Sequence, residues 1–159
     1  MQNITGFFGL TFEDRIFIAA TPERGFAFFE KMEENYTRWH PDHIAFEWRK
    51  GRGLAVGNVF WFDEWIGGKR MAKQVRLVEV VPARLMVFEP TFWLLRAFLP
   101  RMSFAFIPEP GGFIFEAKIV MRGIGALGRR LNRRDFLAVE RHMAQEGQNL
   151  KNLLETGSA

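Results

Sequence analysis

Hydrophobic and polar residues alternate with strand period through the middle of this chain and recur with helical period at its flanks, which divides it into elements. Asp14 to Ala20 (DRIFIAA) is β-branched and aromatic and predicts a first strand. It stops at Thr21-Pro22-Glu23, where Thr21 suits a helix N-cap and Pro22 the first helical position. Phe26, Phe29, Glu30 and Glu33 then keep helical spacing, and a second short helix or turn runs from Asn35 to Trp39 before Pro41 ends it. Strand signals follow at Ile44 to Arg49, Asn58 to Ile66, Lys69 to Val81, Arg84 to Glu89, Met102 to Ile107 and Gly112 to Met121. Gly67-Gly68 and Pro110-Gly111-Gly112 read as hairpin turns, so the pattern is an antiparallel meander. Thr91 to Pro100 (TFWLLRAFLP) is strongly apolar without clean alternation and reads as an irregular or helical insertion. A Gly- and Arg-rich connection, Gly123 to Arg130, leads to a long helix from about Asn132 to Leu154, with Gly157 as its stop.

Composition changes this picture in two places. The chain has 159 residues, 48% of them hydrophobic, enough for one domain with a substantial core, and it carries 18 Phe and 5 Trp against a single Tyr. Such an aromatic excess either packs an aromatic core or lines an apolar cavity. The absence of cysteine excludes a disulfide scaffold, thiolate catalysis and Cys-ligated metal, so any metal must be held by His and carboxylate. A net charge of +4 singles out no polyanionic partner, and nucleic acid is not expected. Met1 to Phe8 lacks the basic region and cleavage site of a signal peptide, and no apolar run is long enough to span a membrane, so a cytoplasmic protein without integral membrane association is expected.

The candidate chemistry lies at three places. On the long helix, Phe136, Val139, Met143, Leu150, Leu153 and Leu154 form one apolar stripe, and His142 and Glu146 fall on it. An i, i+4 pair of this kind can ligate one ion, or can simply hydrogen-bond to itself. His40 and His43 in Tyr36-Thr37-Arg38-Trp39-His40-Pro41-Asp42-His43 supply the other two of only three histidines, at a helix-to-strand junction. In Asn58 to Ile66, alternation puts Glu64 with Phe60, Phe62 and Ile66, and Asp63 with Trp61 and Trp65; both faces are aromatic, so the pattern leaves open which is inside.

The element order resembles the helix-grip fold of the START/SRPBCC superfamily, which includes the birch-pollen allergen proteins and polyketide cyclases, over nearly the whole chain. The matching stretches are Ile18-Ala19-Ala20-Thr21-Pro22-Glu23, Trp39-His40-Pro41 and Glu146-Gly147-Gln148-Asn149-Leu150-Lys151-Asn152-Leu153-Leu154. The resemblance implies an α+β fold across residues 1–159 as one domain: a curved antiparallel sheet of about seven strands around the long C-terminal helix, two short helices and an internal apolar cavity. Within the superfamily the chain is similar to the zinc-dependent carbon–carbon hydrolases such as phloretin hydrolase and diacetylphloroglucinol hydrolase. That likeness implies zinc, or another divalent ion, on His43, Glu64, His142 and Glu146, with His40 as the alternative first ligand, and Tyr36 as a substrate contact. The chain departs from that branch in lacking its N-terminal region and the further substrate-orienting His.

The function so implied is metal-dependent hydrolysis of an acylated phenol or polyketide-like ketone, in which His40, Tyr36 or Asp63 delivers the proton that C–C cleavage needs. The superfamily likeness equally implies a non-catalytic carrier of a lipid, sterol or polyketide. Either way the partner is a hydrophobic or aromatic small molecule, and a homodimer is allowed although nothing in the chain specifies it. Arg129, Arg130, Arg133 and Arg134, with Phe92-Trp93-Leu94-Leu95, suggest an interaction with a membrane surface, against which stand the plainer expectations of a solvated basic lip and a buried insertion covering the cavity mouth. Trp39 and Trp48 are expected chiefly to pack in the aromatic core.

Overall fold

A computed structural model of the chain describes residues 9–157. Its elements, in order, are β1 (Gly9–Ile18), α1 (Pro22–Glu30), α2 (Met32–Trp39), β2 (His43–Lys50), β3 (Val59–Ile66), β4 (Lys69–Val81), β5 (Leu85–Pro90), α3 (Trp93–Phe98), β6 (Arg101–Glu109), β7 (Gly112–Arg122), α4 (Ala126–Leu131) and α5 (Arg133–Thr156). The strands form one seven-stranded antiparallel sheet in the order β1-β7-β6-β5-β4-β3-β2, so that only the β1–β7 pairing joins strands distant in sequence. The α+β helix-grip expectation holds. Met1 to Phe8, read above for targeting signals, lies outside the described residues.

Three local expectations need correction. The first strand begins at Gly9, not Asp14, because Leu10 and Phe12 point into the core and pair across to β7, and it ends at Ile18, where Ala19 and Ala20 bend towards the Thr21 cap. The Gly- and Arg-rich connection contains the helical turn α4, separated from α5 by Asn132, whose side-chain amide donates to the Gly128 carbonyl. The insertion resolves as α3, which has no buried residue, while Leu99 directly after it is buried, so the segment is only in part the buried cover expected of it.

Local chemistry accounts for the rest. Thr21 caps α1, its hydroxyl oxygen accepting the Arg24 N–H at 3.2 Å, with Pro22 at the first position. Gly157 ends α5 at φ +72°, the left-handed cap that glycine adopts without a Cβ clash. The helix is held against β1 at both ends of their contact. A Cβ on Gly147 would stand 2.8 Å from Asp14 Oδ2, and further along, Lys151 Nζ donates to the Phe17 carbonyl at 3.0 Å. At the other edge, Gly67 in the β3–β4 hairpin (φ +59°) brings that turn against Ala138.

Between helix and sheet lies an aromatic core in which Phe26, Phe29, Phe113 and Phe115 all surround Phe106 with ring centroids 5.7 to 5.9 Å away. Phe106 is fully buried and does not face the cavity described below. Phe106→Ala is therefore expected to cost about 3–5 kcal/mol in urea unfolding, since its rigid aromatic neighbours cannot collapse into the void.

Candidate metal centre

The helix and the concave sheet enclose a cavity of about 450 Å³ whose wall is overwhelmingly apolar, with Phe29, Phe46, Phe60, Phe62, Phe88 and Phe104 among its lining residues. Trp39 and Trp48 line it as well. Apart from polar residues such as Lys69, Asp135 and Asn132, its polar lining includes one patch carrying Tyr36, Glu64, Lys73, His142 and Glu146.

Several elements converge there. α2 ends at Trp39 and carries Tyr36; His43 opens β2 beside it. In the β2–β3 ladder His43 stands directly opposite Glu64, and the register then slips between His43 and Ala45. That bulge brings the two side chains together at the sheet edge while the strand continues with its aromatic residues inward. The alternation left open above is thereby decided: Phe60, Phe62, Glu64 and Ile66 face the cavity. Asp63 points the other way and, at 1% exposure, is buried beneath Arg70, whose guanidinium binds it at 2.5 Å. It cannot be a proton donor to the cavity, which removes one of the three candidates named from the sequence. From α5, His142 and Glu146 reach the same point as Glu64.

His43, Glu64, His142 and Glu146 each place one ligand atom within 4.8 Å of the others. His43 Nε2 is 3.1 Å from Glu146 Oε1 and 3.8 Å from Glu64 Oε2, while His142 Nε2 is 3.6 Å from Glu64 Oε2 and 3.8 Å from Glu146 Oε1. Tetrahedral ligation of zinc separates ligand atoms by about 3.3–3.5 Å, so these spacings need only small side-chain adjustments to fit such an ion.

Tautomers sharpen the fit. His43 Nδ1 lies 2.9 Å from the Tyr36 carbonyl, an acceptor only, so the proton sits on Nδ1. Its Nε2 then either carries a second proton or offers a lone pair to a cation, with the Nδ1–H bond acting as the backbone anchor common behind metal-bound histidines. The Tyr36 ring stacks on His43 at 4.1 Å between centroids and 7° between planes, fixing the imidazole further. His142 Nε2 is buried with no hydrogen-bond partner, since its nearest carboxylate oxygens lie beyond hydrogen-bond reach. An orphaned imidazole nitrogen beside two carboxylate oxygens is what a cation would satisfy.

His40, His43 and His142 form an alternative three-imidazole group. Both nitrogens of His40 are engaged, Nδ1 accepting the Asp42 N–H at 3.0 Å and Nε2 bonding Gln145 Oε1 at 3.2 Å. His40 is buried outside the cavity wall, its ring 4.3 Å from that of His142. The four-residue set is thus the better one for a metal.

The charges are strongly perturbed. Burial would raise Glu64, but His142 and Lys73 outweigh it and hold the carboxyl at about 2. Burial depresses His142, yet Glu64 and Glu146 raise it above the usual imidazole value, whereas burial and the neighbouring His142 push His40 below it. Burial, reinforced by Glu64 and Glu146, drives the Tyr36 phenol far above its ordinary value and keeps it an O–H donor, directed at Glu64 Oε2 from 3.4 Å.

Lys73 joins the site without being singled out by any motif in the sequence. Its ammonium donates to Glu64 Oε1 at 2.9 Å and lies 5.1 Å from the centroid of the Phe62 ring. The signal was present, because strand period places Lys73 on the inward face of β4 with Met71, Val75 and Leu77.

No protein-family model matches the sequence, and no curated protein does. Among solved structures the chain is similar to ginseng major latex-like protein 151 from Panax ginseng (11% identity, TM-score 0.75, covering 92% of this chain and 98% of that one). It is likewise similar to Ara h 8.0201 (16% identity, TM-score 0.69, covering 93% and 99%). A third similar structure is the di-domain ARO/CYC StfQ from the steffimycin biosynthetic pathway (16% identity, TM-score 0.73, covering 95% of this chain). The chain spans 52% of that di-domain protein's length. At these identities the likeness establishes the helix-grip fold.

Because Lys73 and Glu64 are both nearly buried, removing one charge strands the other. In metal-free protein Lys73→Met is expected to cost about 3 kcal/mol in chemical unfolding, and the double variant Lys73→Met/Glu64→Gln to cost less than Lys73→Met alone.

Proposed function

We propose that this protein is a divalent-metal-dependent hydrolase, with zinc the preferred ion, that cleaves an acyl group from a phenolic or polyketide-like ring held in the cavity. The observation that carries the reading is the orphaned His142 Nε2 facing the Glu64 and Glu146 carboxylates at the edge of a largely apolar cavity. A pure carrier gains nothing from burying such a group, whereas hydrolysis of a ketone needs one. His43, Glu64, His142 and Glu146 would hold the ion, and Cys-free N and O ligation suits zinc or a similar borderline ion. When bound, such an ion acts as a Lewis acid towards a carbonyl and lowers the pKa of water.

The chain's own residues do the rest. The phenylalanine walls bind the ring and exclude bulk water. Lys73 offers its ammonium to the phenolate or carbanion charge that develops on the ring. Tyr36 presents its O–H to the cavity beside Glu64 and would pass a proton to the ring carbon once a bound cation offsets the Glu64 and Glu146 charges that raise the phenol without one. His40, behind His142 and tied to Gln145, serves as a positioning residue for that imidazole. The reaction adds water across one bond: the acyl carbon gains the hydroxyl and leaves as a carboxylic acid, and the ring carbon gains the hydrogen.

The apolar cavity and the helix-grip fold favour a second reading, a non-catalytic binder of a hydrophobic small molecule. Metal binding separates the two. Stoichiometric zinc should raise the melting temperature of tag-free protein, and His142→Ala and Glu64→Gln should each weaken zinc by at least about 100-fold, since even outer partners of metal ligands are worth 10–100-fold. Tyr36→Phe should retain zinc and lose on the order of 100-fold in kcat on acylphenols. A folded wild-type protein that binds no divalent metal in calorimetry would leave the carrier.

A further inference from the structure

We propose that the face formed by α3, α4 and the start of α5 docks on an anionic lipid bilayer, so that the apolar cavity loads and empties at the membrane surface. Its apolar half is unusually exposed. Phe92, Trp93, Leu94 and Phe98 of the α3 segment all face solvent, Trp93 at 67% exposure, and on α4 Leu127 and Leu131 stand 70% and 75% exposed. Leu127 and Leu131 are four residues apart and share one helix face. The segments adjoin: a Cβ on Gly123, just before α4, would meet the Phe98 ring at 3.3 Å. Apolar side chains placed together in this way mark an interaction site rather than scattered surface hydrophobics.

The same face reaches the cavity. Leu99, directly after α3, Met121 near the end of β7, and Asn132 between α4 and α5 all line it. A partner covering these segments would therefore lie at the cavity's end.

Charge selects the partner. Between residues 122 and 134 the chain carries Arg122, Arg129, Arg130, Arg133 and Arg134 and no Asp or Glu. Among the described residues none of these side chains has an acidic partner, whereas Arg96 and Arg101 nearby pair with Glu89 and Glu79. Phe, Trp and Leu flanked by unpaired arginines match the interface of a bilayer, where the rings enter the headgroup boundary and guanidinium groups meet lipid phosphates. A second copy of the chain is disfavoured as occupant, because an isologous contact would bring the two arginine clusters together. This face is separate from the metal centre, so the inference does not depend on the chemistry proposed there.

The test is co-sedimentation of the full, tag-free chain with vesicles of phosphatidylcholine alone and vesicles made half of phosphatidylglycerol, at low and high salt. Binding to the anionic vesicles is expected to exceed binding to the neutral ones by roughly 10-fold or more, and to fall at high salt. Replacing Arg129, Arg130, Arg133 and Arg134 together by Gln should weaken it on the order of 100-fold. Trp93→Ser/Phe98→Ser should weaken it too, and a brominated lipid should quench the wild-type tryptophan emission. No wild-type binding at low salt, equal binding to both vesicle types, or salt-dependent dimerisation in place of vesicle binding would each overturn the proposal. Because the wild-type comparison alone decides it, a variant that fails to fold leaves the test intact.

Discussion

One buried and one half-buried carboxylate beside two buried histidines at the edge of a largely apolar cavity are the constraint around which this molecule is organised. An ion taken out of water costs several kcal/mol unless it is compensated. Lys73 compensates one carboxylate charge, through Glu64 Oε1. The remaining negative charge faces His43 Nε2 and His142 Nε2, and the Tyr36 carbonyl has already claimed the Nδ1 proton of His43. Either the imidazoles take up extra protons or a cation sits among the four groups. A divalent ion would satisfy both lone pairs and both carboxylates together, including His142 Nε2, the buried side-chain nitrogen that protein atoms leave unpartnered among the described residues.

The fold supplies that convergence through a few close approaches. The β-bulge after His43 sets the imidazole opposite Glu64, and the absence of a side chain at Gly147 lets α5 lie near enough to β1 for His142 and Glu146 to meet them. Trp39 ties helix and loop together, its indole N–H donating to the Glu146 carbonyl at 2.9 Å. The aromatic excess then divides between two tasks. Phe106, Phe113 and Phe115 pack solidly, while Phe46, Phe60 and Phe62 line space that a ring-shaped ligand can fill.

Much of this is legible in the sequence, for physical reasons that also explain the gaps. Helical period alone puts His142 and Glu146 on one stripe, and turn chemistry at Thr21-Pro22 and Gly67-Gly68 marks the element boundaries. The inward face of β3 was undecidable because Trp61 and Trp65 make its outer face as aromatic as the inner one. Asp63 misled for the same reason: it is buried, but on the far side and under Arg70. Lys73 could have been read from alternation, yet a lysine in a strand rich in lysine and arginine does not announce itself as inward. α4 was hidden by Gly123, Gly125 and Gly128, which lower helix propensity. The exposure of α3 has no signature in sequence, because an apolar segment that meets a partner and one that meets the core share a composition.

X-ray absorption at the zinc edge, on tag-free protein loaded with stoichiometric zinc, tests the metal centre most directly. The account predicts a first shell of mixed imidazole nitrogen and carboxylate oxygen at about 2.0–2.2 Å, with outer-ring scattering from two histidines. A shell of three imidazoles without carboxylate would instead assign the ion to His40, His43 and His142, and an ion ringed only by water would contradict a metal centre altogether.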